Sequence, residues 1–148
     1  MALLKLIALD PADLPVLSAH LQDAVVRVGD MAFDARDRRF GLHCNRFNWQ
    51  AEQADPASRE RHRAALRIER VSHLQSQGFD PQLRNQVLSV LALVFVADPD
   101  AALAPQGLLT IVCAGGASLR LTVECVELVL EDLGPVWAAS SVPEHPGP

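Results

Sequence analysis

The sequence predicts a mainly β protein of the α+β kind, built on an antiparallel sheet of seven or eight strands. Its short apolar segments alternate with polar residues at a period of two, and turn residues separate them. One further segment, near the N-terminus, has helical spacing instead. We expect the sheet to be curled into a barrel or two layers. A pleckstrin-homology barrel is the nearest comparison, and this likeness of fold implies no ligand.

The N-terminal segment is expected to hold one strand and then a helix. Residues 4–9 form the strand, and Asp10 is placed to cap a helix over residues 11–22 with Pro11 at its first position. Asp13 lies in the first turn. The side chains that should face the sheet recur at helical spacing: Leu14, Leu17 and Leu21.

Residues 24–44 predict a three-stranded meander. A two-residue turn at Gly29-Asp30 and a four-residue turn over residues 35–38 would bring all the apolar side chains to one face. The predicted cross-strand pairs are Val26 with Phe33, Val28 with Met31, Phe33 with Phe40, and Met31 with Leu42.

The middle of the chain should continue as strands around a loop. The apolar parity changes after Cys44, which predicts a bulge near Asn45-Arg46. Residues 50–62 are polar and predict a mobile loop, and residues 63–74 predict a strand with Leu66 and Ile68 inward. Residues 78–84 are then a connection.

Residues 87–96 are apolar on nearly both faces, so we expect a central strand covered on each side, with the helix lying across it. A loop follows over residues 98–106. A three-residue turn, Ala114 to Gly116, would then form the last hairpin and pair Ile111 with Leu119, Leu109 with Leu121, and Thr110 with Arg120.

Residues 123–133 leave two readings open. The favoured one is a strand with a bulge at Cys125-Val126, in which Val126, Leu128 and Leu130 face inward, and the competing one is a helix. Residues 1–134 are expected to form a single domain. Residues 135–148 are expected to be a partly disordered tail whose first turns are pinned by Trp137.

Composition restricts the class of protein. At 148 residues the chain has the length of one domain, and its longest apolar run is too short to cross a membrane. The apolar patch at the start is too short for a signal sequence, and three cysteines without close spacing fit a reducing compartment. We therefore expect a cytoplasmic protein without a membrane partner, and a monomer or a homodimer.

The chain shows no motif for catalysis, metal binding or a cofactor. Its serines lack the context of an activated nucleophile, and no glycine-rich loop opens a helix to hold phosphates. Cys113 and Cys125 share a face but are predicted to lie roughly 26 Å apart along the strand, at about 3.3 Å per residue. We expect no catalytic residue, metal or cofactor.

Arginine is distributed unevenly. Residues 36–70 hold nine arginines and five acids, a net charge of +4, whereas the rest of the chain has four basic and thirteen acidic residues, a net charge of −9. Arginine is well suited to binding anions. The predicted sheet would place an arginine-rich outer face and its turn tip in one region, with these candidate residues: Arg36, Arg38, His43, Arg46, Arg63 and Arg67. Asp34 should face Arg39 across the strand pair and form a surface ion pair.

The leading hypothesis is a non-catalytic binding or interaction module whose arginine-rich face holds an anionic partner, either a protein surface or a small ligand. Nucleic acid is disfavoured because no stacking aromatic residues lie between the arginines. The alternatives are a solubilising face neutralised by acids, an enzyme acting on a small anionic metabolite around His43 or His73, and a dimer paired through an exposed sheet edge.

Four stretches resemble an uncharacterised alphaproteobacterial family known as a domain of unknown function. They are LIALDPADLPVLSAHLQDAVVRVGD, RFGLHCNRFNW, ALRIERV and LRLTVECVELVLEDLGPVWAA, and together they span nearly the whole chain before the tail. The resemblance implies a bacterial cytoplasmic protein whose relatives tend to be encoded near histidine-biosynthesis genes. It implies no activity for any residue.

Overall fold

A computed structural model of the chain describes residues 3–47, 60–100, 106–134 and 137–138, and these form a mainly β, antiparallel fold with one short α-helix. The described strands number more than the predicted seven or eight. The elements are β1 (Lys5–Ala8), α1 (Leu14–Leu21), β2 (Val25–Arg27), β3 (Met31–Asp34), β4 (Arg39–Phe47), β5 (Glu60–Ile68), β6 (Val71–Gln77), β7 (Val87–Ala97), β8 (Gly107–Cys113), β9 (Ser118–Val123), β10 (Leu128–Asp132) and β11 (Trp137–Ala138).

The strands form one sheet in the order β1-β10-β5-β4-β2-β7-β8-β9-β6, with β3 also beside β4 and β11 beside β5. The sheet is not closed into a barrel. A buried apolar cluster draws residues from α1 and from strands along the whole sheet. Phe40, Leu66 and Leu121 are among its largest members. Among the described residues, no helix is long and apolar enough to cross a membrane.

Two segments that connect strands lie side by side, and we call this pair of segments the crossover. Glu69-Arg70 joins β5 to β6, and residues 124–127 join β9 to β10. The Glu69 amide donates to the Glu127 carbonyl at 2.9 Å, and the Glu124 amide donates to the Arg70 carbonyl at 3.0 Å. The single strand predicted over residues 63–74 is therefore two strands, because the chain bends here.

The strands β3 and β6 contribute side chains to a small cavity of about 110 Å³. Phe33 and Leu74 line it from these two strands, and Phe79 and Pro81 line it from the connection after β6. Phe79 also packs against the core. The connection predicted over residues 78–84 therefore helps to fill the interior between strands that do not pair.

The N-terminal prediction is confirmed. The Asp10 carboxylate accepts a hydrogen bond from the Asp13 amide at 3.2 Å, and a 3-10 turn over Pro11–Asp13 precedes α1. The three leucines that were expected to face the sheet are buried: Leu14, Leu17 and Leu21. Local capping and helical spacing were sufficient to place this element.

The meander is half correct. Strands β3 and β4 pair in the predicted register, with Phe33 opposite Phe40 and Met31 opposite Leu42. The first hairpin is wrong, because β2 pairs with β7 and, at Val25, with β4. Residues 28–30 form a 3-10 turn instead of a hairpin turn. The chain then continues into β3, which pairs with β4, as β2 does at Val25.

The expectation that β7 is covered on both faces is also wrong. The strand is central, between β2 and β8, but four of its apolar side chains remain 44–62% exposed: Val87, Leu91, Val94 and Val96. Helix α1 does contact β7, where the Leu93 amide donates to the Ser18 hydroxyl at 2.9 Å. This short helix leaves the outer face of the strand uncovered.

The C-terminal hairpin is confirmed. Ile111 lies opposite Leu119 and Leu109 opposite Leu121, and Gly116 has a φ of +81°, in the left-handed region. Of the two readings for residues 123–133, the structure has the strand, with an irregular stretch before β10. Val126, Leu128 and Leu130 are buried, as that reading requires.

Candidate functional site

Strands β4 and β5 are neighbours and present one continuous outer face. Asn45 lies opposite Arg63, His43 opposite Ala65, and Gly41 opposite Arg67. His43 and Arg67 are exposed and Arg63 is half-buried, so three of the predicted site residues lie on this face. The loop predicted over residues 50–62 is wrong at residues 60–62, which belong to β5, and its other residues lie outside the described part of the chain. The tail predicted over residues 135–148 also lies outside it, except for β11.

Arg46 does not lie on that face, and its predicted position is wrong. Strand β4 pairs with β5 without a bulge as far as Phe47, so Arg46 keeps the inward parity of Phe40, Leu42 and Cys44. It is 3% exposed. The bulge predicted near Asn45-Arg46 had turned this residue outward, but no bulge is present there and the guanidinium has a buried carboxylate as its partner.

That partner is Asp132, whose carboxylate has four polar contacts. The Arg46 guanidinium donates through Nε to Oδ1 and through a terminal nitrogen to Oδ2, both at 2.8 Å. The Leu4 amide donates to Oδ2 at 2.9 Å, and His62 Nδ1 lies 2.8 Å from the same oxygen. We call this group the buried cluster, and it ties β4, β5 and β10 to the chain at the start of β1.

The pKa values of the titratable groups in and around the buried cluster indicate a structural role rather than a chemical one. Burial would raise the pKa of the Asp132 carboxyl, but hydrogen bonds from Arg46 and the Leu4 amide hold that pKa below its usual value. Burial raises the pKa of the Cys44 thiol to about 12, so it stays protonated and is a poor nucleophile. Burial and the nearby Arg46 charge lower the pKa of His20, in the last turn of α1.

Most of the surface arginines have acidic partners from elsewhere in the chain. Arg38 forms an ion pair with Glu124, and Arg70 lies 3.4 Å from Glu127, so the crossover supplies both carboxylates. Arg63 lies 3.6 Å from Asp30. The charge separation seen along the sequence is thus largely balanced in space. Arg36 is exposed at the predicted turn, and no described acid lies within ion-pair distance of it.

Asp34 and Arg39 are opposite each other as predicted, but they do not form the expected ion pair. One oxygen of Asp34 accepts from the amides of Arg36 and Asp37 and shapes the turn. Arg39 Nε instead donates to both oxygens of Glu69, at 3.0 and 2.9 Å.

Glu69 is shared by two arginines. Arg67 Nε lies 2.7 Å from Glu69 Oε2, the oxygen that is also 2.9 Å from Arg39 Nε. The carboxylate side chain is 16% exposed, whereas the Arg39 and Arg67 side chains are 50% and 52% exposed. Hydrogen bonding to Glu69 raises the pKa of Arg39 further. Two exposed guanidiniums therefore share one carboxylate, which leaves an excess of one positive charge.

A groove of about 400 Å³ lies beside this pair on the outer face. Side chains of small volume, and one residue without a side chain, line it: Ala32 on β3, Gly41 on β4 and Ala65 on β5. Charged and titratable residues also line the groove: Asp30, Asp34, Arg39, His43 and Arg67. The arrangement can hold a ligand by ion pairing over a shallow apolar surface.

Sequence reasoning found Arg67 and His43 but not the partnership of Arg39 with Glu69. Glu69 follows β5 immediately, one position beyond the Phe40–Ile68 pair, so the register of β4 with β5 brings it opposite Arg39. Among the described residues, no group of three potential ligands could hold a metal ion. The three cysteines are free.

Residues 4–145 match the family model described as "Protein of unknown function (DUF2948)", and the chain belongs to that family. This confirms the resemblance to an uncharacterised family of that kind. No curated protein matches the chain, and no solved structure matches it.

Proposed function

We propose that this member of the DUF2948 family is a non-catalytic binding module that holds an anionic group of its partner in the groove, at Arg39 and Arg67. The observation that carries the proposal is the sharing of Glu69 by these two guanidiniums. Glu69 neutralises only one of the two positive charges, and a partner's carboxylate or phosphate would neutralise the other.

The geometry favours an incoming anion at this point over the other arginines of the region. Arg39 Nε donates to Glu69, Arg67 Nε lies 2.7 Å from the same carboxylate, and half of each arginine side chain is exposed. Arginine presents five donors in a planar fork, so the terminal nitrogens suit a second anion. By contrast, Arg38 and Arg70 each have a carboxylate of their own.

An enzyme acting on a small anionic metabolite has less support. His43 does line the groove together with Asp30 and Asp34. A general base is normally oriented by a hydrogen bond, and none joins His43 to these carboxylates in the described part of the chain. Cys44, the cysteine on β4, is fully buried and therefore is not accessible as a nucleophile.

The test is an NMR titration of the whole chain with inorganic phosphate at low ionic strength, following the amides of Ala32, Gly41 and Ala65. We expect Arg67→Gln to weaken binding by about two- to fivefold, which corresponds to one exposed ion pair. Glu69→Gln should strengthen binding, because it removes the carboxylate that competes for both guanidiniums.

The matched control is Arg70→Gln. Arg70 is 57% exposed, close to the exposure of Arg67, but it is paired with Glu127 and does not line the groove. This variant should bind phosphate like the wild type. The proposal is overturned if Arg67→Gln binds as tightly as the wild type, or if Arg70→Gln weakens binding equally.

A further inference from the structure

Charge is divided across the groove. The residues that β3 and its N-terminal flank contribute to the rim are acidic, Asp30 and Asp34, whereas β4 and β5 contribute Arg39 and Arg67. Ala32 pairs with Gly41, and Gly41 pairs with Arg67, so these three stand in one row across three strands. Two strand spacings amount to about 10 Å. The acidic side is therefore β3 with its flank, and the basic side is β4 with β5. Asp34 lies directly opposite Arg39, so Asp30 is the carboxylate that stands across the strands from Arg67.

The acidic side is only partly used within the chain. Asp34 accepts two turn amides through Oδ1, and no described group bonds its Oδ2. Asp30 has one arginine partner at 3.6 Å, which is longer than a hydrogen bond. These carboxylates lie beside the anion site, so a ligand that also carries a cationic group would bind more tightly than a purely anionic one.

We propose that the groove binds an extended peptide segment of a partner protein that carries an acidic and a basic residue about 10 Å apart. This inference rests on the proposed function, since the acidic residue would occupy the site at Arg39 and Arg67. The basic residue would reach Asp30, since Asp34 lies directly opposite Arg39. At roughly 3.3–3.6 Å per extended residue, the two charges would lie about three residues apart.

The missing side chain at Gly41 gives the peptide its space. A Cβ built on Gly41 would meet the Leu66 carbonyl oxygen at 3.8 Å, an ordinary contact, so a larger residue can be accommodated by the backbone. Gly41 lines the groove between the two charged sides. Gly41→Leu should therefore fold and yet fill the groove, which separates loss of binding from loss of structure.

The experiment titrates the chain with three blocked tetrapeptides: acetyl-Asp-Gly-Gly-Lys-amide, the same peptide with Gln in place of Lys, and the same peptide with Asn in place of Asp. The bipolar peptide should bind about two- to fivefold more tightly than the acid-only peptide, the gain of one exposed ion pair. The double variant Asp30→Asn/Asp34→Asn should abolish this preference, and Gly41→Leu should weaken binding of both acidic peptides.

The outcomes separate the two proposals. If the acid-only peptide binds as tightly as the bipolar one, the bipolar inference is overturned while the anion site at Arg39 and Arg67 stands. If neither acidic peptide shifts the groove amides, or if only the basic peptide does, the proposed function fails together with the inference. Thermal unfolding of Gly41→Leu and of the double variant checks that each remains folded.

Discussion

Arg39 and Arg46 lie on the same strand, β4, and each binds a carboxylate, but they do so on opposite faces of the sheet. Arg46 is 3% exposed and has Asp132 bound to both Nε and a terminal nitrogen. Arg39 is half exposed and shares Glu69 with Arg67. Arg46 is seven positions after Arg39, an odd number, so the alternation of a strand sends the two side chains to opposite sides.

The contrast shows that an arginine–carboxylate pair has no fixed role. In the buried cluster, removing one partner leaves a charge in a medium that cannot solvate it. On the surface, water replaces a lost partner at little cost, and the guanidinium stays available to other anions. Burial therefore separates a structural pair from a binding pair, and the predictions below test that division.

The largest effect is expected from Asp132→Ala. It leaves Arg46 charged and unpaired in the interior and removes the acceptor of the Leu4 amide, which should lower the free energy of unfolding by about 3–5 kcal/mol. Urea unfolding measures it. The double variant Arg46→Met/Asp132→Leu should lie closer to the wild type, since no unpaired charge remains. A loss below about 1 kcal/mol for the single variant would contradict the structural role.

The second prediction concerns acid. The pKa of Asp132 is lowered in the folded chain, so its contribution to stability is complete above the unfolded value of about 3.9 and declines as the pH falls through that value. The stability difference between the wild type and Asp132→Asn should shrink as the pH falls from about 4 to 3. Urea unfolding at each pH measures both, and a difference constant to pH 3 would refute this assignment.

The third prediction concerns the surface pair. Glu69→Gln should change the free energy of unfolding by less than about 1 kcal/mol, because the groups it leaves behind are accessible to water. The measurement is the same urea titration, carried out beside Asp132→Ala. If Glu69→Gln were as destabilising as the buried variant, the surface pair would be structural and the division drawn here would fail.

The smallest effect is expected from Arg38→Gln. Both Arg38 and Glu124 are well exposed, at 56% and 42% of their side chains. Such pairs contribute about 0–1 kcal/mol, so the change should lie within about 0.5 kcal/mol. Thermal unfolding at low and at high salt measures it. A larger loss of stability that does not depend on salt would show that this pair holds the crossover in place.

Sequence reasoning succeeded where alternation and a turn give one answer. Phe33 opposite Phe40 and Ile111 opposite Leu119 follow from apolar parity together with turn length. It failed at β2 because parity alone cannot distinguish a two-residue turn from the 3-10 turn over residues 28–30. Either turn changes the inward-facing positions from even-numbered to odd-numbered residues. Only the pairing of β2 with β7 shows which turn is present.

The site was predictable only in part for a related reason. Parity placed His43 and Arg67 on the outer face, since each lies within a regular strand. The predicted bulge misplaced Arg46, because the carboxylate that makes its burial tolerable is on β10, far along the chain. Glu69 was missed because its approach to Arg39 depends on the register of β4 with β5, which the sequence analysis did not predict. Long-range partners decide both cases, and a local pattern does not contain them.

The crossover also limits how this chain can change in length. Glu69-Arg70 is a two-residue link, and its amide and carbonyl groups are bonded to residues 124–127 beside it. One residue inserted there would turn the buried side chains of β6 towards solvent and its exposed side chains towards the interior, because side chains alternate along a strand. Insertions that accumulate over evolutionary time should therefore avoid both links and gather in the longer connections, where no register has to be kept.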